Sequence, residues 1–205
     1  MRSLSVYHWF LALSFLAVWV WALVNPVFPH DWLLENYLVF LFVPAILWYS
    51  RHHRLSNASY GFITIFMMLH VVGSHYTYAY VPFGFTLQVW LHESRNMYDR
   101  LVHFLFGLLL FYPIQELLAR WAKVAGSWNY FFTFVTITAT AALYEIIEWF
   151  TASIVAPAAA MAYLGSQGDL WDAHKDIWLA IVGAFLAMGI ILVNKKWYAS
   201  QKSSK

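Results

Sequence analysis

Residues 128–150 read WNYFFTFVTITATAALYEIIEWF. A segment of about 20 mostly apolar residues is enough to cross a bilayer, yet this one carries Glu145 and Glu148 near its end. At i and i+3 the two carboxylates share one face of a helix. Ionisable groups at that depth are expensive unless they face a bundle interior, a polar cavity or a partner. The stretch therefore predicts an all-α, polytopic membrane protein whose other helices bring partners to this pair.

The rest of the chain agrees. Of its 205 residues 62% are hydrophobic and 11% charged, where a soluble domain carries about a quarter charged; mean hydropathy is +0.59. About six segments are long enough to span, roughly 8–24, 33–50, 59–79, 99–119, 128–150 and 175–194. They make one integral membrane domain over residues 1–205. The net charge of +2 comes without a basic arm, which excludes nucleic acid as a partner. Cysteine is absent, and with it disulfides and thiolate metal sites. The first apolar run ends at Asn25-Pro26 without a small-residue cleavage site, so it reads as an uncleaved spanning helix. The piece at 152–164 is too short to span and reads as interfacial or re-entrant.

Lysine and arginine in the short loops set orientation. Arg2, Arg51, Arg54, Arg120, Lys123, Lys195, Lys196, Lys202 and Lys205 fall on one side, and Arg95, Arg100 and Lys175 on the other. This places both termini in the cytoplasm. Trp32, Tyr49, Tyr78, Trp149, Trp171, Trp197 and Tyr198 suit aromatic belts at the two interfaces. On this topology every acid except Glu116 lies toward the outer face. Because spanning helices alternate in direction, residues late in the third and fifth segments meet residues early in the fourth and sixth.

Each converging group has a bland alternative. His70 and His75 are five apart around Gly73-Ser74; a kink there would bring them together, whereas His70 alone is a common interhelical hydrogen-bonding residue. Asp99 and His103 are four apart, a spacing that suits metal ligation or a carboxylate-oriented imidazole, although Asn96 or Asp99 also reads as a helix cap and Asp99 as a surface partner of Arg100. Glu145 and Glu148 sit where the helix dipole opposes negative charge. They need a cation, which could be Arg100, Lys175, a protonated histidine or a metal ion; the bland alternative is a salt bridge to Arg100. Asp169, Asp172 and Asp176 form one stripe if the last helix opens near Asp169; one or two of them suffice as caps. Gly183, Ala184, Ala187 and Gly189 permit close packing of that helix.

Four motifs, GSHYTY at 73–78, NMYDRLVHF at 96–104, YEIIEW at 144–149 and QGDLWDAHKD at 167–176, resemble the YjdF-like family of bacterial inner-membrane proteins over nearly the whole length. The resemblance implies a multi-pass inner-membrane location and no established activity. The last two segments are also similar to VanZ-like membrane proteins, which pair a late glutamate with aspartates opening the next helix.

Carboxylates and imidazoles without thiols are a ligand set for zinc, manganese or iron. The leading expectation is a metal-dependent hydrolase or transferase acting at the outer, periplasmic face on a lipid or envelope precursor. Asp99, His103, Glu148, Asp169, Asp176 and His70 are the candidate ligands. Glu145, Asp172, His75, Tyr76 and Arg100 are the candidate catalytic groups, with Tyr98 beside them. The rivals are a protein that binds or transports an ion, a proton or a lipid head group, and a purely structural network. No recognised catalytic fingerprint is present. The lipid bilayer is the one certain partner, and no oligomeric state is implied.

Overall fold

The computed structural model describes residues 5–154 and 165–203. Its helices are α1 (Val6–Leu23), α2 (Pro29–His52), α3 (Asn57–His75), α4 (Pro82–Leu91), α5 (Tyr98–Arg120), α6 (Gly126–Ile154) and α7 (Asp172–Ser203). All but α4 are long and apolar enough to cross a membrane. This is a multi-pass membrane protein. Of the piece expected over 152–164, residues 152–154 prolong α6 and the remainder lies outside the described residues.

Local chemistry moves several boundaries. α2 opens at Pro29, four residues before the expected start, because the first helical position needs no N–H and proline is already set at a helical φ. α4 was not anticipated. It too opens on a proline, Pro82, and its 10 residues are too few to span. Its exposed Phe83, Phe85, Val89 and Trp90 give it an apolar face suited to the bilayer interface.

α5 is the hub. α7 packs on it most extensively, α3 and α6 flank it, and α1 and α2 dock on α3. Lipid tails are as apolar as leucine, so close packing rather than hydrophobic burial must hold such helices together. The α5–α7 contact achieves this with glycine. A Cβ on Gly107 would stand 1.9 Å from the Ala180 carbonyl oxygen, and one on Gly183 2.1 Å from that of Phe104. Around this contact Phe111, Ile137 and Ala184 form a buried cluster, while Ala22, Val39, Met67 and Val71 join α1, α2 and α3. Gly189, grouped with these small residues by sequence, meets nothing.

Of the aromatic residues expected at the interfaces, Trp149 and Trp171 are exposed, but Trp32 and Tyr78 are buried. The side chains of Trp197 and Tyr198 lie outside the described residues.

The end of the bundle carrying the α2–α3 turn has one acid, and it is fully used. Glu116, late in α5, accepts from the Ser56 N–H and Oγ at 2.9 Å, from the Ser59 hydroxyl, and from Arg120 at 2.6 Å. Ser56 is also the N-cap of α3, so Glu116 ties the start of α3 to the end of α5. Hydrogen bonds to a charged group are worth about 1.5–3 kcal/mol each. Glu116→Ala is expected to lower the free energy of unfolding by about 2–3 kcal/mol in an SDS titration. A change below about 0.5 kcal/mol would show that the clamp contributes nothing, since that is the range of ordinary surface substitutions.

A buried carboxylate cluster as candidate metal centre

At the opposite end the starts of α2, α5 and α7 meet the late turns of α6. Asp31 and Glu35 come from α2, Asp99 and His103 from α5, Glu145 and Glu148 from α6, and Asp172 and Asp176 from α7, with Asp169 in the turn before it. These acids outnumber the cations among them, Arg95, Arg100 and Lys175.

Two arginines hold the α7 start. Arg100 is 5% exposed. Its guanidinium donates to Asp169 Oδ2 at 3.0 Å, Asp172 Oδ1 at 2.7 Å and the Asp172 carbonyl at 2.8 Å, and meets Asp176 Oδ2 at 2.7 Å. Arg95 donates to Asp172 Oδ1 and to the carbonyls of Gly165 and Ser166, and stands 3.6 Å from Asp99. The planar, five-donor fork of arginine suits this sharing. Lys175 and the Trp171 N–H hold the Asp169 carboxyl down to about 2, so it is a fixed anion for Arg100 at neutral pH. α7 itself begins at Asp172, so Asp169 joins the aspartates through a turn and not through a helical stripe.

The loops are pinned to match. Asn96 receives from the Tyr98 N–H at 3.0 Å and donates to the Val81 carbonyl at 2.9 Å. Its own N–H reaches Gln167 Oε1 at 2.9 Å. Gly84 is required beneath it, because a Cβ there would fall 1.8 Å from Asn96 Oδ1.

The α6 side is arranged differently. His103 Nε2 stands 3.5 Å from both Asp99 Oδ1 and Glu145 Oε1. One ligand atom from each of Asp99, His103 and Asp176 lies within 4.8 Å of the others. Glu145 Oε1 and Asp176 Oδ1 are buried and have no hydrogen-bond partner. Glu145 thus faces His103 and not Arg100, the salt-bridge partner that its sequence position offered. Next to it Tyr144 donates to Glu35 Oε2 at 3.3 Å and places its ring 5.9 Å from that of His103. Glu148 has Glu145, Asp99 and Glu35 for neighbours and shares a hydrogen bond with Tyr144.

The histidines of α3 go elsewhere. Thr77 and Tyr78 both take the left-handed conformation (φ 50° and 51°), which folds the Tyr78 ring back over Gly73, whose missing Cβ would lie 2.6 Å from it. Tyr78 Oη is then 2.5 Å from His70 Nδ1, and His70 Nε2 donates to the Glu35 carbonyl at 3.1 Å. His70 therefore bridges α3 to α2. His75 turns to α1, donating from Nδ1 to the Ala22 carbonyl at 3.1 Å and stacking on Trp21 with Tyr76 beside it. Gly73-Ser74 does not bring the two imidazoles together, and neither His75 nor Tyr76 reaches the carboxylates. Tyr98 is spent on the Leu69 carbonyl at 2.8 Å.

A profile of the DUF2238 family, described as predicted membrane proteins, matches residues 7–196. The chain belongs to the DUF2238 family. It is 38% identical over 159 residues to the inner membrane protein YjdF of Escherichia coli (strain K12), covering 76% of each chain. No solved structure matches.

In this DUF2238 chain the structure gathers Asp99, His103, Glu145, Glu148, Asp169, Asp172, Asp176 and Arg100 from among the residues chosen by sequence. Three further members, Asp31, Glu35 and Arg95, were not singled out from the sequence. Asp31 lies outside the expected 33–50 segment, whereas with α2 opening at Pro29 Asp31 and Glu35 are one helical turn apart on one face. Arg95 was read as a loop charge, although it lies four residues before Asp99.

Proposed function

We propose that this protein is a divalent-metal-dependent hydrolase or transferase of the bacterial inner membrane, acting at the periplasmic face on a lipid or envelope precursor. One observation carries the reading: His103 Nε2 stands 3.5 Å from two carboxylate oxygens, and one of them, Glu145 Oε1, is buried and unbonded. Charge-assisted hydrogen bonds close to about 2.7–2.9 Å. Ligand atoms about 2.1 Å from a tetrahedral ion stand about 3.4 Å apart. The second spacing fits, and Asp176 Oδ1 supplies a further acceptor while Arg100 occupies Oδ2.

In this reading Asp99, His103 and Asp176 hold the ion, with Glu145 as fourth ligand or as the base beside it. The ion would lower the pKa of a bound water and polarise a phosphoryl or carbonyl oxygen. Arg95 and Arg100 fix Asp172 and the start of α7. Asp99, Asp172 and Glu145 keep 15%, 13% and 10% of their side-chain surface exposed, which leaves a substrate group an approach. The periplasmic assignment rests on the loop charges, and it is strengthened because Arg95, Arg100 and Lys175 each bond an aspartate here. Transport is the weaker reading. Thr133 and Thr136, which would line the other half of a path, bond carbonyls of their own helix.

Elemental analysis of the full chain, purified in detergent without a histidine tag, is the test. Near-stoichiometric zinc, manganese or iron is expected, falling at least about tenfold in Asp99→Asn/His103→Ala, since losing outer-shell partners alone costs 10- to 100-fold in affinity. A protein that binds none of these metals on titration, or a double variant that keeps its metal, would overturn the assignment and leave a proton- or head-group-binding cluster.

A further inference from the structure

α1 and α2 both lie against α3, and between them runs a cavity of about 540 Å³. Its wall is apolar over most of its length, with Phe15, Leu16, Val43 and Leu47 facing one another. Polar groups collect at one end, where His8, Ser50, Arg54 and Tyr60 line it. Trp19 and Val39 close the other end, and there the Trp19 indole donates to Asn36 at 2.8 Å. The polar end belongs to the bundle end that carries Arg51, Arg54 and Arg120, away from the carboxylates. The groove therefore has the polarity of a single amphiphile, with a cationic mouth and a hydrocarbon interior.

Its size restricts the occupant. From Val39 to Ser50 α2 rises about 17 Å. The cavity runs along most of that length. It falls within the roughly 300–1,000 Å³ of small-molecule sites. Pro44 lines it from inside α2 and deprives the Phe40 carbonyl of its helical donor, the kind of interruption at which helices bend.

We propose that this groove binds an acyl chain of an anionic phospholipid from the leaflet at the α2–α3 turn, with the phosphate at Arg54. The site is independent of the carboxylate cluster and lies in the other half of the bilayer. Arg54 is half-buried and lines the mouth, and its carbonyl is held by Arg120 at 2.6 Å, which fixes the backbone there. His8 packs edge-on against Tyr60 at 5.1 Å between ring centres and forms the opposite lip.

The test is native mass spectrometry of the full chain with dioleoyl phosphatidylglycerol or dioleoyl phosphatidylcholine, which share acyl chains and differ in head-group charge. Wild type is expected to retain the phosphatidylglycerol about fivefold better, the effect of one interfacial arginine. Arg54→Gln should erase the preference and Arg54→Lys should keep it. Ala12→Trp, which fills the groove, should remove retention of both lipids, whereas Leu13→Trp on the exposed neighbouring face should not. Equal retention of the two lipids by wild type, an undiminished preference in Arg54→Gln, or full retention in Ala12→Trp would each overturn the proposal.

Discussion

Arg100→Met is expected to cost about 3–5 kcal/mol of stability, the penalty for removing one partner of a buried ion pair, and to loosen α7 from α5. The residue is 5% exposed and touches Asp169, Asp172 and Asp176 together. Methionine keeps most of the volume and removes all the donors, which leaves Asp176 Oδ2, on a side chain 2% exposed, without its guanidinium partner. Arg95 stays bonded to Asp172 but meets neither Asp169 nor Asp176. Arg100→Lys should recover only part of the loss, because an ammonium is a point charge and cannot spread a fork across three carboxylates. Unfolding by SDS titration with tryptic accessibility of the 165–175 turn measures both effects. Were Arg100→Met to unfold within about 1 kcal/mol of wild type, a typical value for an exposed ion pair, the three aspartates would not depend on this guanidinium.

Gly183→Leu and Gly107→Leu are expected to prevent the α5–α7 pair from forming, with loss of folded protein from detergent extracts. The contacting atoms are backbone: the Phe104 carbonyl oxygen would meet a Cβ on Gly183 at 2.1 Å, and the Ala180 carbonyl oxygen one on Gly107 at 1.9 Å. Neither can rotate away, so the helices must separate along the longest interface in the molecule. Overpacking costs about 1–3 kcal/mol where side chains can adjust; here alanine alone should reach the top of that range. Gly189→Leu on the same helix, with nothing within 4 Å, is the control and should behave as wild type. Folded, stable Gly183→Leu protein would show that the helices do not approach this closely.

Much of this was readable in the residues, and the limits have physical causes. Hydropathy marks the six spans because bilayer thickness imposes one length on them all. It does not mark α4, since ten apolar residues satisfy no length rule. Alternating helix direction was enough to gather the acids at one end. Which acid meets which cation was not legible, because Arg100 had carboxylates three and four residues apart on two different helices within reach. The separation of His70 from His75 depends on left-handed backbone at Thr77 and Tyr78, neither a glycine, and no propensity announces that. The shared face of Asp31 and Glu35 was hidden by a boundary four residues late, and Pro29 was the signal that would have corrected it.

The Arg100–Asp172 pair also sets a timetable for synthesis. The two residues are 72 apart in the chain, so at about 5–20 residues per second the ribosome delivers α7 roughly 4–14 s after Arg100. Through that interval α5 carries a guanidinium, a carboxylate and an imidazole in its first turns with their α7 partners unmade. The helix must wait beside the insertion machinery, or ride high in the bilayer, until the last span arrives. A chain cut short before Asp169 would leave Arg100 without the three aspartates that hold it, which gives cellular proteases a means to distinguish an unfinished copy from a finished one.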